Sequence, residues 1–144
     1  MSTSISWLPW ALASAAFAAM TAIFAKVGVA NVNADLATFI RTIVIVATLG
    51  AIVWATGQWQ APTSIPSRSW LFLVLSGLAT GGSWLCYFRA LKLGDAARVA
   101  PIDKLSVVLV ALFGVAFLGE RLSGLNWLGV ALIGGGALLV AIQS

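Results

Sequence analysis

The chain consists largely of apolar runs too long to be covered by water. They occupy about residues 7–28, 36–57, 70–93, 97–118 and 125–142, with short polar breaks between them. A helix rises about 1.5 Å per residue, so runs of roughly 20 residues match a hydrocarbon layer about 30 Å thick. Hydrophobic residues make up 61% of the chain and charged residues 8%, whereas roughly a quarter of a soluble domain is charged. The chain therefore reads as an all-α integral membrane protein with five transmembrane helices. These helices and their connections account for all 144 residues, which predicts one transmembrane domain over 1–144 and no soluble one.

The breaks have their own chemistry. Trp7 and Trp10 suit the interfacial belt at the start of the first helix, and Pro9 sits where a missing N–H does no harm. No basic segment precedes this helix, so it is expected to be retained rather than cleaved as a signal peptide. Asp35 is the expected N-cap of the second helix. Gly57, Pro62 and Pro66 mark the longest loop, Gly94-Asp95 ends the third helix and offers Asp95 as the next cap, and Gly119-Glu120-Arg121 makes a polar turn.

Eight Lys and Arg outnumber four Asp and Glu. In a soluble protein such an excess would suggest nucleic acid; here the cations gather at helix ends, so contact with the lipid bilayer is expected and nucleic acid is not. Lys26, Arg41, Arg89, Lys92, Arg98 and Lys104 lie towards one membrane face, with Arg68 and Arg121 towards the other. The positive-inside rule makes the crowded face cytoplasmic, with the N-terminus outside and the C-terminus inside. Leaving out Arg41, Arg89 and Lys104 as intramembrane residues shrinks the bias and keeps dual topology open. The single Cys86 lies in an apolar run, where it reads as a small hydrophobe.

Charge at membrane depth is the sharper feature. Arg41 and Lys104 fall roughly 9–11 Å along their helices from Asp35 and Ala97. Long side chains can snorkel part of that distance, yet several intramembrane ions together point to a functional path. Asp103 is the expected buried carboxylate. Its neighbour Lys104 is about 100° away on an ideal helix, so Asp103 is expected to pair across helices with Arg89 or Arg41. Trp84, Tyr87 and Phe88 beside Arg89 can wall a small-molecule site or face lipid. Catalysis lacks parts: there is no His, no Cys pair and no carboxylate pair. The chain is expected to be no enzyme and to hold no metal or cofactor.

The segment WLCYFRALKLGDAARVAPIDKLSVVLVALFGVAFLGERLSGLNWLGVALIGGGALLVA resembles the EamA domain of the drug/metabolite transporter superfamily. The matching signs are the aromatic third helix ending in RAL, Pro101 early in the fourth, the GERLS turn at 119–123 and GVALIGGGALLV. Larger members carry two inverted five-helix repeats, and this chain resembles one of them, which implies a homodimer or pairing with a related five-helix chain. GVALIGGGALL is also similar to the dimerising last helix of small multidrug resistance proteins. Ala131 and Gly135, at small-xxx-small spacing, are the expected dimer contact.

The resemblance implies a multi-pass transporter of small organic metabolites in the bacterial inner membrane, working by alternating access, with Pro101 as a hinge. Small multidrug resistance proteins use a carboxylate in their first helix, and this chain has none from Trp7 to Ala25. The positive balance of Arg41, Arg89 and Lys104 over Asp103 instead favours an anionic or zwitterionic substrate. The expected substrate-binding set is Arg41, Trp84, Tyr87, Arg89, Asp103 and Lys104. A non-transporting helix-bundle subunit and a multidrug-cation exporter are the rival readings.

Overall fold

The computed structural model describes residues 7–142. Among them the order is α1 (Leu8–Gly28), α2 (Ala34–Ala55), a short 3₁₀ turn (Pro62–Ser64), α3 (Ser67–Leu93), α4 (Ala96–Asp103), α5 (Ser106–Leu118) and α6 (Gly124–Ala141). Five helical stretches are long and apolar enough to cross a membrane, with α4 and α5 together forming the fourth. The protein is an all-helical, multi-pass membrane protein.

Most large apolar side chains face outward, among them Phe17, Phe39, Val46, Leu73, Phe117 and Leu132. Without a hydrophobic drive between helices in lipid, contact falls to small residues and polar cross-links. The buried residues fit that rule: Ala22, Ala25, Ala34, Gly114, Gly134 and Ala137 are small, and only Val29, Phe88 and Leu91 are large.

The chain divides into two compact units, Ala25–Lys92 and the combination of Met1–Phe24 with Leu93–Ser144. In the first unit the end of α1, the start of α2 and the end of α3 are tied by polar contacts. Lys26 Nζ donates to the Leu91 carbonyl at 2.7 Å and Lys92 Nζ to the Val32 carbonyl at 2.7 Å. Beyond this clasp the α3 glycines Gly77, Gly81 and Gly82 have no neighbour within 4 Å of a Cβ position. The α2–α3 hairpin is thus joined through its charged end.

The cap of α2 differs from expectation. Asn33, not Asp35, is the N-cap: its Oδ1 accepts from the Asp35 N–H at 2.9 Å and the Leu36 N–H at 3.3 Å. Asparagine caps as well as aspartate does, and Asp35, two residues further in, is released for another partner. Asp95 does occupy the N-cap of α4, with no capping bond from its side chain. Helix α3 begins at Ser67 rather than Trp70, which places Arg68 inside it. Its 27 residues run about 40 Å, longer than the hydrocarbon, so both ends reach the headgroups.

In the second unit α6 packs on α4 and α5. A Cβ on Gly134 would stand 3.0 Å from Val108 Cγ2, so α6 approaches α5 closely at this glycine. Arg98 Nη2 reaches the Ala141 carbonyl at 3.4 Å, bringing the start of α4 to the end of α6.

The fourth span is not one continuous helix. Pro101 has no N–H to give the Ala97 carbonyl, and the helix breaks between Asp103 and Ser106. Lys104 N donates to Pro101 O at 3.0 Å and Leu105 N to Ile102 O at 3.0 Å. The same i→i−3 pattern continues from Val107 to Lys104 and from Val108 to Leu105. The chain therefore crosses this point as tight 3₁₀ turns, a feature that marks strain or a hinge within helices.

Gly119 closes α5 with φ 69°, and its N–H and that of Glu120 both turn back to the Gly114 carbonyl. Ser123 caps α6 by accepting from the Asn126 N–H at 3.2 Å. A left-handed conformation costs an L-residue about 1–2 kcal/mol, so Gly119→Ala is expected to destabilise by about 1 kcal/mol. Thermal unfolding in detergent checks this; an unchanged midpoint would show that the turn relaxes freely.

Candidate functional site

The six expected binding residues fall into both units. Arg41, Trp84, Tyr87 and Arg89 belong to Ala25–Lys92, while Asp103 and Lys104, with Pro101, belong to the other. Each group is built by its own local geometry.

On α2 and α3, Arg41 lies with its guanidinium carbon 3.4 Å from the centre of the Trp84 ring and 5.8 Å from that of Phe88. At this distance the cation stacks on the negative face of the indole. Trp84 is itself held edge-on by Tyr87, with ring centres 5.4 Å apart, and by Phe88 at 5.9 Å. Helical spacing explains the cluster, because residues three and four beyond Trp84 share its face.

Arg89 behaves differently. Its Nε donates to Asp35 Oδ1 at 2.9 Å and its Nη2 to Oδ2 at 2.7 Å, a two-point ion pair across α2 and α3. Such a fork-to-carboxylate match fixes direction as well as charge. The expectation that Asp103 would take Arg89 is therefore corrected, since Asp35 holds Arg89, and within its own unit Arg41 lies over the Trp84 and Phe88 rings. An acidic residue at a helix start suits a cap as well as an ion pair, and Asp35 is left for the pair because Asn33 fills the cap.

Asp103 also departs from its expected partner. Lys104 Nζ lies 3.1 Å from Asp103 Oδ2. An ideal helix would point these neighbours apart, but they sit where α4 ends. The 3₁₀ turns at Lys104 and Leu105 release them from helical spacing, so adjacent side chains can meet. Among the described residues no group of three or more His, Cys, Asp or Glu could hold a metal ion.

Ala131 and Gly135 lie on the exposed side of α6, and a Cβ on Gly135 would meet nothing within 4 Å. Gly134 and Ala137, about a quarter-turn round the helix, are the buried pair.

The geometry of five apolar spans, one broken, with ions inside them, agrees with the comparison of sequences. The model of the EamA-like transporter family matches residues 5–142. The chain belongs to the EamA-like transporter family. An uncharacterized transporter encoded in the cobO 3′ region of a Sinorhizobium species is 71% identical over 139 residues, covering 96% of this chain and 99% of that protein. An uncharacterized transporter of Vibrio cholerae is 32% identical over 101 residues, covering 67% of this chain and 33% of that protein. No solved structure is significantly similar to this EamA-like chain. Membership makes the protein a membrane transporter.

Proposed function

We propose that the protein moves small organic metabolites, anionic or zwitterionic, across the bacterial inner membrane by alternating access, as a dimer of two such chains or with a related five-helix chain. The observation that carries this reading is the break between α4 and α5. Transporters place interrupted helices around their substrate paths, because an unwound turn can change direction between two states at small cost. Here the interruption carries the Asp103–Lys104 pair and follows Pro101, the proposed hinge.

Two further observations support the dimer. The small residues of α6 are split between faces: Gly134 packs on Val108, whereas Gly135 is open. The match to the Vibrio transporter covers only a third of that protein, which has chain to spare for further helices. Helical spans rather than a barrel favour the inner membrane over the outer.

The test is uptake by purified protein in liposomes, offered a mixed pool of labelled metabolites in both directions of gradient. Saturable exchange above protein-free liposomes is the expected result. A protein that is folded and monodisperse yet moves nothing is a structural subunit, and the transport reading falls. Pro101→Ala, which restores a backbone donor, is expected to slow transport while leaving substrate binding intact. Unchanged rates would remove Pro101 from the conformational step.

A further inference from the structure

Among the described residues Arg41 is distinguished by lacking an anion at depth: Arg68, near the Phe72 ring, and Arg121 have none either, but Arg68 lies in the first turn of α3 and Arg121 in the turn between α5 and α6. Arg89 is neutralised by Asp35, Lys104 lies against Asp103, Lys92 bonds the Val32 carbonyl and Lys26 the Leu91 carbonyl. Within its own unit, Ala25–Lys92, no carboxylate, carbonyl or hydroxyl accepts from Arg41, although it lies inside the span Ala34–Ala55. The nearby hydroxyls are turned elsewhere: Thr38 Oγ1 donates to the Ala34 carbonyl and Thr42 Oγ1 to that of Thr38. A charge at this depth without an anion is expensive.

The stack on Trp84 satisfies one face of the guanidinium and leaves its edge. All five N–H groups lie in the guanidinium plane, so a ring over the face does not consume them. That edge matches the two oxygens of a carboxylate or phosphate. The platform is ordered before any ligand arrives, since Tyr87 and Phe88 hold the indole from its sides. An ordered aromatic wall next to an unsatisfied fork is suited to a molecule with one anionic group and a flat apolar body.

We propose that Arg41, stacked on Trp84, binds the single carboxylate or phosphate of the transported molecule, and that Arg89 is a packing ion pair with no part in binding it. This rests on the transporter reading above. A lipid headgroup phosphate presents the same chemistry as a free anion, so the two sources must be separated.

The experiment measures thermal stability of the full chain in phosphatidylcholine nanodiscs. Sodium benzoate, inorganic phosphate and the uncharged benzamide are titrated at constant ionic strength, for the wild type, Arg41→Gln and Arg41→Lys. A ligand bound only by the folded state raises the midpoint in proportion to its occupancy. Benzoate or phosphate is expected to raise it saturably and benzamide is not. Arg41→Gln should weaken the effect by about tenfold or more, with Arg41→Lys, which keeps charge but loses the fork, in between. If phosphatidylglycerol in the disc raises the midpoint in an Arg41-dependent way and soluble anions add nothing, the bound group is a lipid phosphate and the carried-substrate assignment falls. An equal response to benzamide, no response to any anion, or an unaltered response in Arg41→Gln overturns the site. Should Arg41→Gln misfold, Arg41→Lys decides alone, because full anion affinity there excludes the two-point contact. Liposome transport that persists in Arg41→Gln removes this site and leaves the transporter reading standing. Anion binding without any transport does the reverse.

Discussion

Asp35→Asn is expected to abolish transport and to lower the yield of monodisperse protein, and the exchange Asp35→Arg with Arg89→Asp to restore both. The carboxylate takes two donors of one guanidinium, at 2.9 and 2.7 Å, between the first turn of α2 and the last turns of α3. An asparagine side chain has one acceptor oxygen and no charge, so it removes one bond and leaves Arg89 an unbalanced ion at the edge of the hydrocarbon. The pair also belongs to the clasp that Lys26 and Lys92 complete, and its loss loosens a side-chain tie across that hairpin. Asp103→Asn is the control. Its partner Lys104 is the next residue, so the pair ties no helix to another, the lysine can reorient, and a mild effect is expected. Size-exclusion profiles and liposome uptake measure both variants. A fully active Asp35→Asn protein, or an exchange that rescues nothing, would show that the ion pair does not hold α2 to α3.

What the amino-acid order made legible is the part governed by long-range composition. The five spans follow from runs of apolar residues against the thickness of a bilayer, and their ends agree with the structure to within a few residues. Gly119 as a helix terminator was equally readable, because a left-handed cap strongly favours glycine. Pro101 announced a disturbance in the fourth span. Its position did not announce where the disturbance would fall, since the break appears after Asp103, where i→i−3 bonds replace the helical pattern.

The pairing of charges was not legible, for a physical reason. Ion pairs in a helical bundle are chosen by which helix faces meet, and sequence periodicity gives the faces of one helix without their neighbours. Asp35 could serve as a cap or as a partner for a cation, and only the presence of Asn33 two residues earlier resolves the choice. Once Asp35 is free, Arg89 is at the same membrane end and the pair forms. Asp103 lost its expected role by the opposite route: the ideal-helix argument against Lys104 fails where the helix stops. The aromatic cluster at Trp84, Tyr87 and Phe88 was visible as a stripe, while its stack under Arg41 depended on the approach of α2 to α3.

Adjacent glycines on α6 provide the last and most discriminating expectation. Gly134→Leu and Gly135→Leu differ by one residue, about 100° around the helix, and should damage different things. At Gly134 even a Cβ would lie 3.0 Å from Val108 Cγ2, so a leucine must push α6 off α5. Overpacking of this kind costs about 1–3 kcal/mol, and the variant is expected to unfold at lower temperature in detergent whatever its oligomeric state. At Gly135 a Cβ meets nothing within 4 Å, so the chain itself tolerates the leucine. Helices that associate through small residues need close backbone approach, and a leucine there holds two copies apart. Gly135→Leu is therefore expected to leave the thermal midpoint of the dissociated chain unchanged, abolish dimer cross-linking and eliminate transport. Cross-linking in membranes and unfolding in detergent, run on both variants, read the two effects separately. Normal cross-linking and transport in Gly135→Leu would place the contact between chains on a different helix, and a stable Gly134→Leu would show that α5 and α6 part without cost.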